Sequence, residues 1–151
     1  MVQVRDISEK DAEGVAKLSV QLGYESNIAQ TLIRIQQIKN SNENCAFVAV
    51  IDDQVLGWIH GFYTLRIESD PFVEIGGLIV DETCRNLKIG KQLIDSVNLW
   101  AKKHEVKKLK VRCNSKRTES HKFYERVGFK QNKQQIVFEM DLVEPTYTCE
   151  V

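Results

Sequence analysis

The chain has 151 residues, 42% of them hydrophobic and 28% charged, with 21 Lys and Arg against 21 Asp and Glu. That length predicts one domain with a real core, and a formal charge of zero speaks against a dedicated nucleic-acid or membrane-surface binder, whose basic excess would show in the sum. The charge is unevenly spread: Arg85 to Arg126 holds 13 basic and 4 acidic residues, leaving 8 and 17 for the rest, so any function has to explain that block.

Val2 to Ile7 reads as a strand. Ser8 and Asp11 have the spacing of a capping box, opening a helix with Val15, Leu18 and Leu22 on one face. A second helix is expected from near Ser26, with Ile28, Leu32 and Ile35 at helical spacing, ending in the polar turn Asn40 to Asn44. Cys45 to Ile51 and Gln54 to Tyr63 are strands joined by a hairpin at Asp52-Asp53. After a loop, Thr64 to Pro71, the run Phe72 to Val80 has the near-continuous apolar form of a buried strand, interrupted by Glu74. Ile89, Leu93, Val97 and Trp100 predict a helix, and Leu109, Val111 and Cys113 alternate as a strand. His121 to Val127 reads as a short helix, and Phe129 to Lys133 and Ile136 to Leu142 as two last strands. The order βααβββαβαββ predicts an α/β (α+β) sheet with helices packed on it. With no linker, repeat or low-complexity stretch, residues 1–142 are expected to form one domain and 143–151 an unassigned tail.

The cysteines, Cys45, Cys84, Cys113 and Cys149, form no C-x-x-C pair and have no histidine at ligand spacing. Reduced thiols and no structural metal are the expectation. Arg5, Asp6 and Glu9 stand where a signal peptide needs apolar residues, and no apolar run approaches the roughly 20 residues of a membrane span. A soluble, cytoplasmic protein is expected.

The most informative stretch is Val80 to Lys91, between a buried strand and a helix. A helix start exposes unpaired N–H groups and the positive end of the macrodipole, and Arg85, Lys88 and Lys91 add charge around it. The segment reads either as an anion-binding loop or as a solvated basic turn. It is not a Walker A loop, which needs glycine at Arg85 and Ser or Thr at Gln92, and no Rossmann G-x-G-x-x-G occurs.

These residues resemble the GCN5-related N-acetyltransferase (GNAT) superfamily, whose signature R/Q-x-x-G-x-G/A lies between the fourth strand and third helix. Arg85 and Gly90 match, with Val80-Asp81 just ahead, and Lys88 replaces the first signature glycine. Ser120 to Phe129, with Phe123-Tyr124 and Gly128-Phe129, looks like the family's A-x-x-F-Y-x-x-x-G-F element. The resemblance implies a mixed, mostly antiparallel sheet of about six to seven strands with about four helices. It also implies acetyl-CoA as acyl donor, splayed between the fourth and fifth strands. Leu78, Ile79 and Val80 would meet its pantetheine arm, and Arg85, Asn86, Leu87, Lys88, Ile89, Gly90 and Lys91 its pyrophosphate; no metal is implied. Asn114 resembles a position that bonds the cofactor arm, or is a turn asparagine.

A thioester is already activated, so the enzyme has to supply a neutral amine, alignment, oxyanion stabilisation and a proton for the thiolate. Tyr124 resembles the tyrosine near the thioester sulfur in many members; the bland reading is a core aromatic paired with Phe123. Glu74 looks like a glutamate that serves some members as general base, or is a strand residue turned to solvent or to a salt bridge. Cys113 alternates with buried positions and reads as core. His60, Trp58, Phe62 and Tyr63, with Glu68 and Asp70, are pocket candidates beside plainer readings as an amphipathic strand and a solvated loop. The expected reaction is direct transfer to a primary amine, of a small molecule or of a peptide or protein, in a ternary complex. The acidity of Met1 to Cys84 (6 basic, 13 acidic) leans toward a cationic acceptor. The alternatives are a non-catalytic acyl-CoA-binding regulatory module and nucleic-acid binding through Lys102, Lys103, Lys107, Lys108, Lys110, Arg112, Lys116 and Arg117. A homodimer is an open expectation by family analogy.

Overall fold

The computed structural model describes residues 1–21 and 23–143; Leu22, expected on the inner face of the first helix, and residues 144–151 of the tail lie outside it. The chain divides into two compact units, Met1–Arg112 and Cys113–Val151.

The first unit is a five-stranded sheet, β1 (Gln3–Asp6), β2 (Asn44–Ile51), β3 (Gln54–Thr64), β4 (Phe72–Val80) and β5 (Leu109–Val111), in that spatial order. The first four strands pair antiparallel and β5 pairs parallel to β4. Helices α1 (Ala12–Val20) and α2 (Ile28–Lys39) lie between β1 and β2 in the chain, and α3 (Ile89–Lys103) makes the crossover from β4 to β5 that a parallel pair requires. The second unit holds α4 (Thr118–Arg126). The order is the expected one through α4. The two expected last strands are absent among the described residues: no ladder there includes Phe129 to Lys133 or Ile136 to Leu142, and the described sheet has five strands where about six to seven were expected. The alternation that suggested them is real, but a strand needs a paired edge as well as a period of two, and periodicity alone does not specify one.

Local chemistry accounts for the junctions. The Ser8 amide donates to Asp11 Oδ2 at 2.8 Å, closing the capping box ahead of α1. Asp11 is buried and takes both ends of the Arg5 guanidinium at 2.8 Å, so β1 and the start of α1 are tied by a two-pronged ion pair. Asn27 caps α2 through the amides of Ala29 and Gln30. Asp52 and Asp53 both take positive φ, 49° and 63°, the backbone of a two-residue hairpin turn whose twist matches its strands.

Directly paired residues share a sheet face, which sorts the side chains. A Cβ on Gly61 would lie 2.9 Å from Val97, so the face of Gly61, Ile75 and Val111 is the one α3 covers, through Ile89, Leu93 and Val97. The other face carries Ala46, Val48 and Val50, which pack with Ile7, Val15 and Ile35 under α1 and α2. Farther along, that face holds Phe62 opposite Glu74 and Glu74 beside Lys110, and there the side chains are only half-buried.

In the second unit α4 ends in a Schellman motif. Gly128, at φ 111°, donates to the Glu125 carbonyl (3.2 Å) and Phe129 to that of Tyr124 (2.9 Å), and the Tyr124 and Phe129 rings meet edge-on at 5.6 Å.

Candidate active site

The open face is shaped by an irregularity in β4. Gly61 pairs with Ile75 and His60 with Gly77, so Gly76 is an extra residue in β4. Such a bulge bends the strand and re-aims its groups. A Cβ on Gly76 would come within 2.9 Å of His60 Nδ1 and 3.1 Å of Phe62, so only glycine leaves the space above the bulge clear. The β4–β5 ladder runs from Val73 to Ile75 and stops there. Beyond it the edge of β4 through Leu78, Ile79 and Val80 faces away from β3 with no ladder among the described residues. These three residues are thus placed to offer backbone groups to an extended ligand arm.

Glu74, two residues before the bulge, is 14% exposed and receives Arg112 Nε on Oε1 at 3.1 Å. That is the salt-bridged reading of the sequence, with Oε2 left free of any described hydrogen bond. His60 was only a pocket candidate by sequence; its geometry is more informative. Asn44 gives its amide nitrogen to Ser41 Oγ (2.9 Å), which directs its oxygen to His60 Nε2 (2.8 Å). Nε2 is then the protonated nitrogen, and Nδ1 carries a lone pair beside the bulge. Burial holds His60 below its ordinary pKa, favouring the neutral ring. The signal in the sequence was a histidine on the same strand face as Phe62, with Asn44 one pair along the neighbouring strand, opposite Phe62, which only register could reveal. Trp58 Nε1 and Thr64 Oγ1, on this strand too, are buried with no partner among the described residues.

After β4, Asp81 accepts from the Thr83 amide (2.9 Å) and hydroxyl (2.7 Å) and starts a 3₁₀ turn, Glu82–Leu87. Lys88, at the signature glycine position, takes the left-handed conformation, φ 58° and ψ 26°, which glycine adopts without steric cost. The first α3 bond runs from the Gln92 amide to the Lys88 carbonyl, leaving the amides of Ile89, Gly90 and Lys91 without a helical acceptor. Arg85 and Lys88 are exposed and have no ion-pair partner among the described residues, whereas Lys91 pairs with Asp95 at 3.1 Å. Leu87 is exposed and Asn86 lies in the 3₁₀ turn. Exposed positive charge and free backbone amides are the features an anion cradle needs.

In the second unit, Tyr124 is half-buried between Phe123 (5.2 Å) and Phe129, and burial pushes its phenol up to about 12. It therefore stays protonated at neutral pH. Asn114 is exposed, its Oδ1 taking the Lys116 amide (2.9 Å) and its carbonyl facing His121 Nε2 (2.9 Å), so its oxygen is used in a turn. Cys113 is half-buried; burial pushes Cys45 up to about 12, an inert thiol. Glu68 and Asp70 are exposed, with Glu68 3.8 Å from Arg66. A separate cleft of about 650 Å³ in the first unit, walled by Lys10, Glu13, Lys17, Asp53 and Asp81, contains none of the expected site residues. Among the described residues no helix is long and apolar enough to cross a membrane, and no three His, Cys, Asp or Glu side chains gather as a metal site.

Comparison with known proteins agrees with this geometry. A probable glucosamine 6-phosphate N-acetyltransferase of Drosophila melanogaster is 30% identical over 138 residues, covering 85% of this chain; the chain spans 60% of that relative's length. The aminoglycoside 6'-N-acetyltransferase AAC(6')-Ih of Acinetobacter baumannii superposes with a TM-score of 0.83 at 17% identity, over 95% of this chain and 100% of its own. AAC(6')-Iy, solved with a CoA-linked bisubstrate analogue, gives 0.83 at 20% identity over 94% and 99%. These two structures share the fold. The acetyltransferase (GNAT) family itself matches residues 10–129, the span that holds the bulged strand, the basic loop and the Phe-Tyr helix, and the chain belongs to that family.

Proposed function

We propose that the protein is an acetyl-CoA-dependent N-acetyltransferase that passes the acetyl group directly to a primary amine in a ternary complex. The observation that carries the reading is the break in the sheet: β4 parts from β5 at Gly76, immediately before a strand edge and a basic helix start. In this reading the pyrophosphate lies at Arg85 to Lys91 and the pantetheine arm along Leu78 to Val80, which brings the thioester toward the bulge. The acceptor approaches on the open face. Glu74 Oε2, the oxygen that Arg112 leaves free, holds its ammonium, and His60 Nδ1 takes the proton; a neutral imidazole suits neutral pH better than a carboxylate does. Tyr124, kept protonated by burial, is assigned the proton for the departing thiolate.

An amino sugar is the acceptor class to try first, since the relatives named above act on glucosamine 6-phosphate and aminoglycosides. Lys110 and Arg112 beside Glu74 favour an acceptor with an anionic group over a purely cationic one. The test is thiol release from acetyl-CoA across an amine panel that includes both types, with calorimetry on the same preparation. Turnover of one amine supports the reading. Binding of acetyl-CoA with no release for any amine supports the non-catalytic module instead. Tyr124→Phe is expected to lower kcat by about 10- to 100-fold with little change in acetyl-CoA affinity, and an unchanged kcat removes it from the mechanism.

A further inference from the structure

Asn44 opens β2 at a point that backbone and side chain hold together. The Tyr63 amide donates to the Glu43 carbonyl at 2.8 Å, and Ser41 Oγ takes the Glu43 amide at 3.2 Å and Asn44 Nδ2 at 2.9 Å. The turn thus fixes where Asn44 stands, and the Ser41 hydroxyl fixes which way its amide faces. Asn44 Oδ1 is thereby aimed at His60 Nε2, diagonally across the ladder, at 2.8 Å. A primary amide reverses without changing shape, and the reversed form would give His60 a donor instead of an acceptor. The ring would then carry its proton on Nδ1, beside Gly76, with no lone pair left there.

An amide in place of an acid has a chemical consequence. A carboxylate at position 44 would hold the same nitrogen but favour imidazolium, which has no lone pair with which to take a proton. Asn44 fixes the ring without adding charge. The surroundings agree, since burial lowers the His60 pKa with no neighbouring charge contributing. Apart from His60, strands β2, β3 and β4 carry one charged side chain, Glu74, which Arg112 engages. Glu13 and Lys17 of α1, Arg34 and Lys39 of α2 and Glu43 of the turn are exposed.

We propose that Asn44, oriented by Ser41, is a positioning residue that selects the Nε2-protonated tautomer of His60 and so keeps the Nδ1 lone pair facing the bulge. The inference rests on the reading of His60 as the base, and it adds a statement about the free protein that holds with no substrate bound. Gly76 completes the arrangement from β4: a Cβ there would stand 2.9 Å from Nδ1, in the space that reading gives to the acceptor's amine.

Nitrogen-15 NMR of the full chain without ligands tests it, His60 being assigned among the three histidines by the signal lost in His60→Gln. The expected wild-type ring is protonated at Nε2 above pH 7. Asn44→Asp is expected to raise the His60 titration midpoint by about 1–2 pH units and to carry the acid limb of kcat/KM upward with it. Ser41→Ala is expected to give a mixture of tautomers and a severalfold lower kcat/KM, with Ser41→Thr restoring both; this pair decides the matter alone if Asn44→Asp does not fold. A wild-type ring protonated at Nδ1 overturns the proposal whatever the activity, and so does a midpoint that Asn44→Asp leaves in place. The catalytic reading fails separately. An acid limb that survives in His60→Gln removes His60 as the base, and with it the role of Asn44, even where the ring is found in the expected tautomer.

Discussion

In the proposed reaction two side chains on one sheet face, His60 of β3 and Glu74 of β4, divide the work of handling a proton, and their neighbours decide which does what. Arg112 occupies one oxygen of Glu74, which keeps a negative group available to an ammonium but fixes its orientation. His60 has one nitrogen tied to Asn44 and the other bare, and burial lowers its pKa from 6.5, so the base form persists as the pH falls below that value and is lost only lower. His60→Gln is expected to reduce kcat by about 100-fold and to abolish the acid limb of the kcat/KM profile. Glu74→Gln is expected to act mainly on KM for the amine, keeping that limb. Steady-state kinetics between pH 5 and pH 8 separate the two: an acid limb that survives in His60→Gln and disappears in Glu74→Gln would exchange the roles. The same burial has a stability consequence. The unfolded chain takes a proton on this histidine near pH 6.5 while the folded chain resists it, so folding stability declines as pH falls through that region.

At the scale of elements, helix α4 shows how far local sequence carries. Gly128 was legible as a helix end, and it stands at φ 111° with both bonds of the Schellman motif in place. Gly128→Ala has open space for its methyl group yet must hold a left-handed backbone, so a loss of about 1–2 kcal/mol is expected, read as a lower denaturant midpoint with an unchanged slope. The Ser8-Asp11 box, the Asp52-Asp53 hairpin and the stripe of α3 were legible for the same reason: their causes lie within a few residues of one another. The bulge was not, because Gly76 becomes extra only through the register of β3 against β4. His60 was likewise legible only as a pocket candidate, since its partner Asn44 is brought diagonally within reach, opposite Phe62, by pairing across a hairpin. The last two expected strands fail on the same ground in reverse. Their period of two was read correctly, but pairing depends on a partner edge, which no periodicity specifies.

For the molecule as a whole, the zero net charge is a cancellation between a basic stretch and an acidic remainder. The basic stretch begins at Arg85, on a loop whose Arg85 and Lys88 carry no described counter-ion, so its charge is available to an anionic ligand instead of being spent on internal pairs. A polyanion is one candidate, but a small one with a pyrophosphate fits a single helix start with three free amides better than an extended backbone does. The two differ in what salt and mutation do. Acetyl-CoA affinity, measured by calorimetry between low and physiological ionic strength, is expected to fall modestly, since only a few charges meet it. Arg85→Ala is expected to weaken it by about tenfold and to flatten that salt dependence, while leaving Tm within a degree or two because the side chain is exposed and unpaired. Tight, steeply salt-dependent binding to duplex DNA or RNA, unaffected by acetyl-CoA, would instead assign the basic stretch to a nucleic acid. Competition settles even the mixed case: if the cradle is the coenzyme site, free CoA displaces any polyanion that Arg85→Ala also releases.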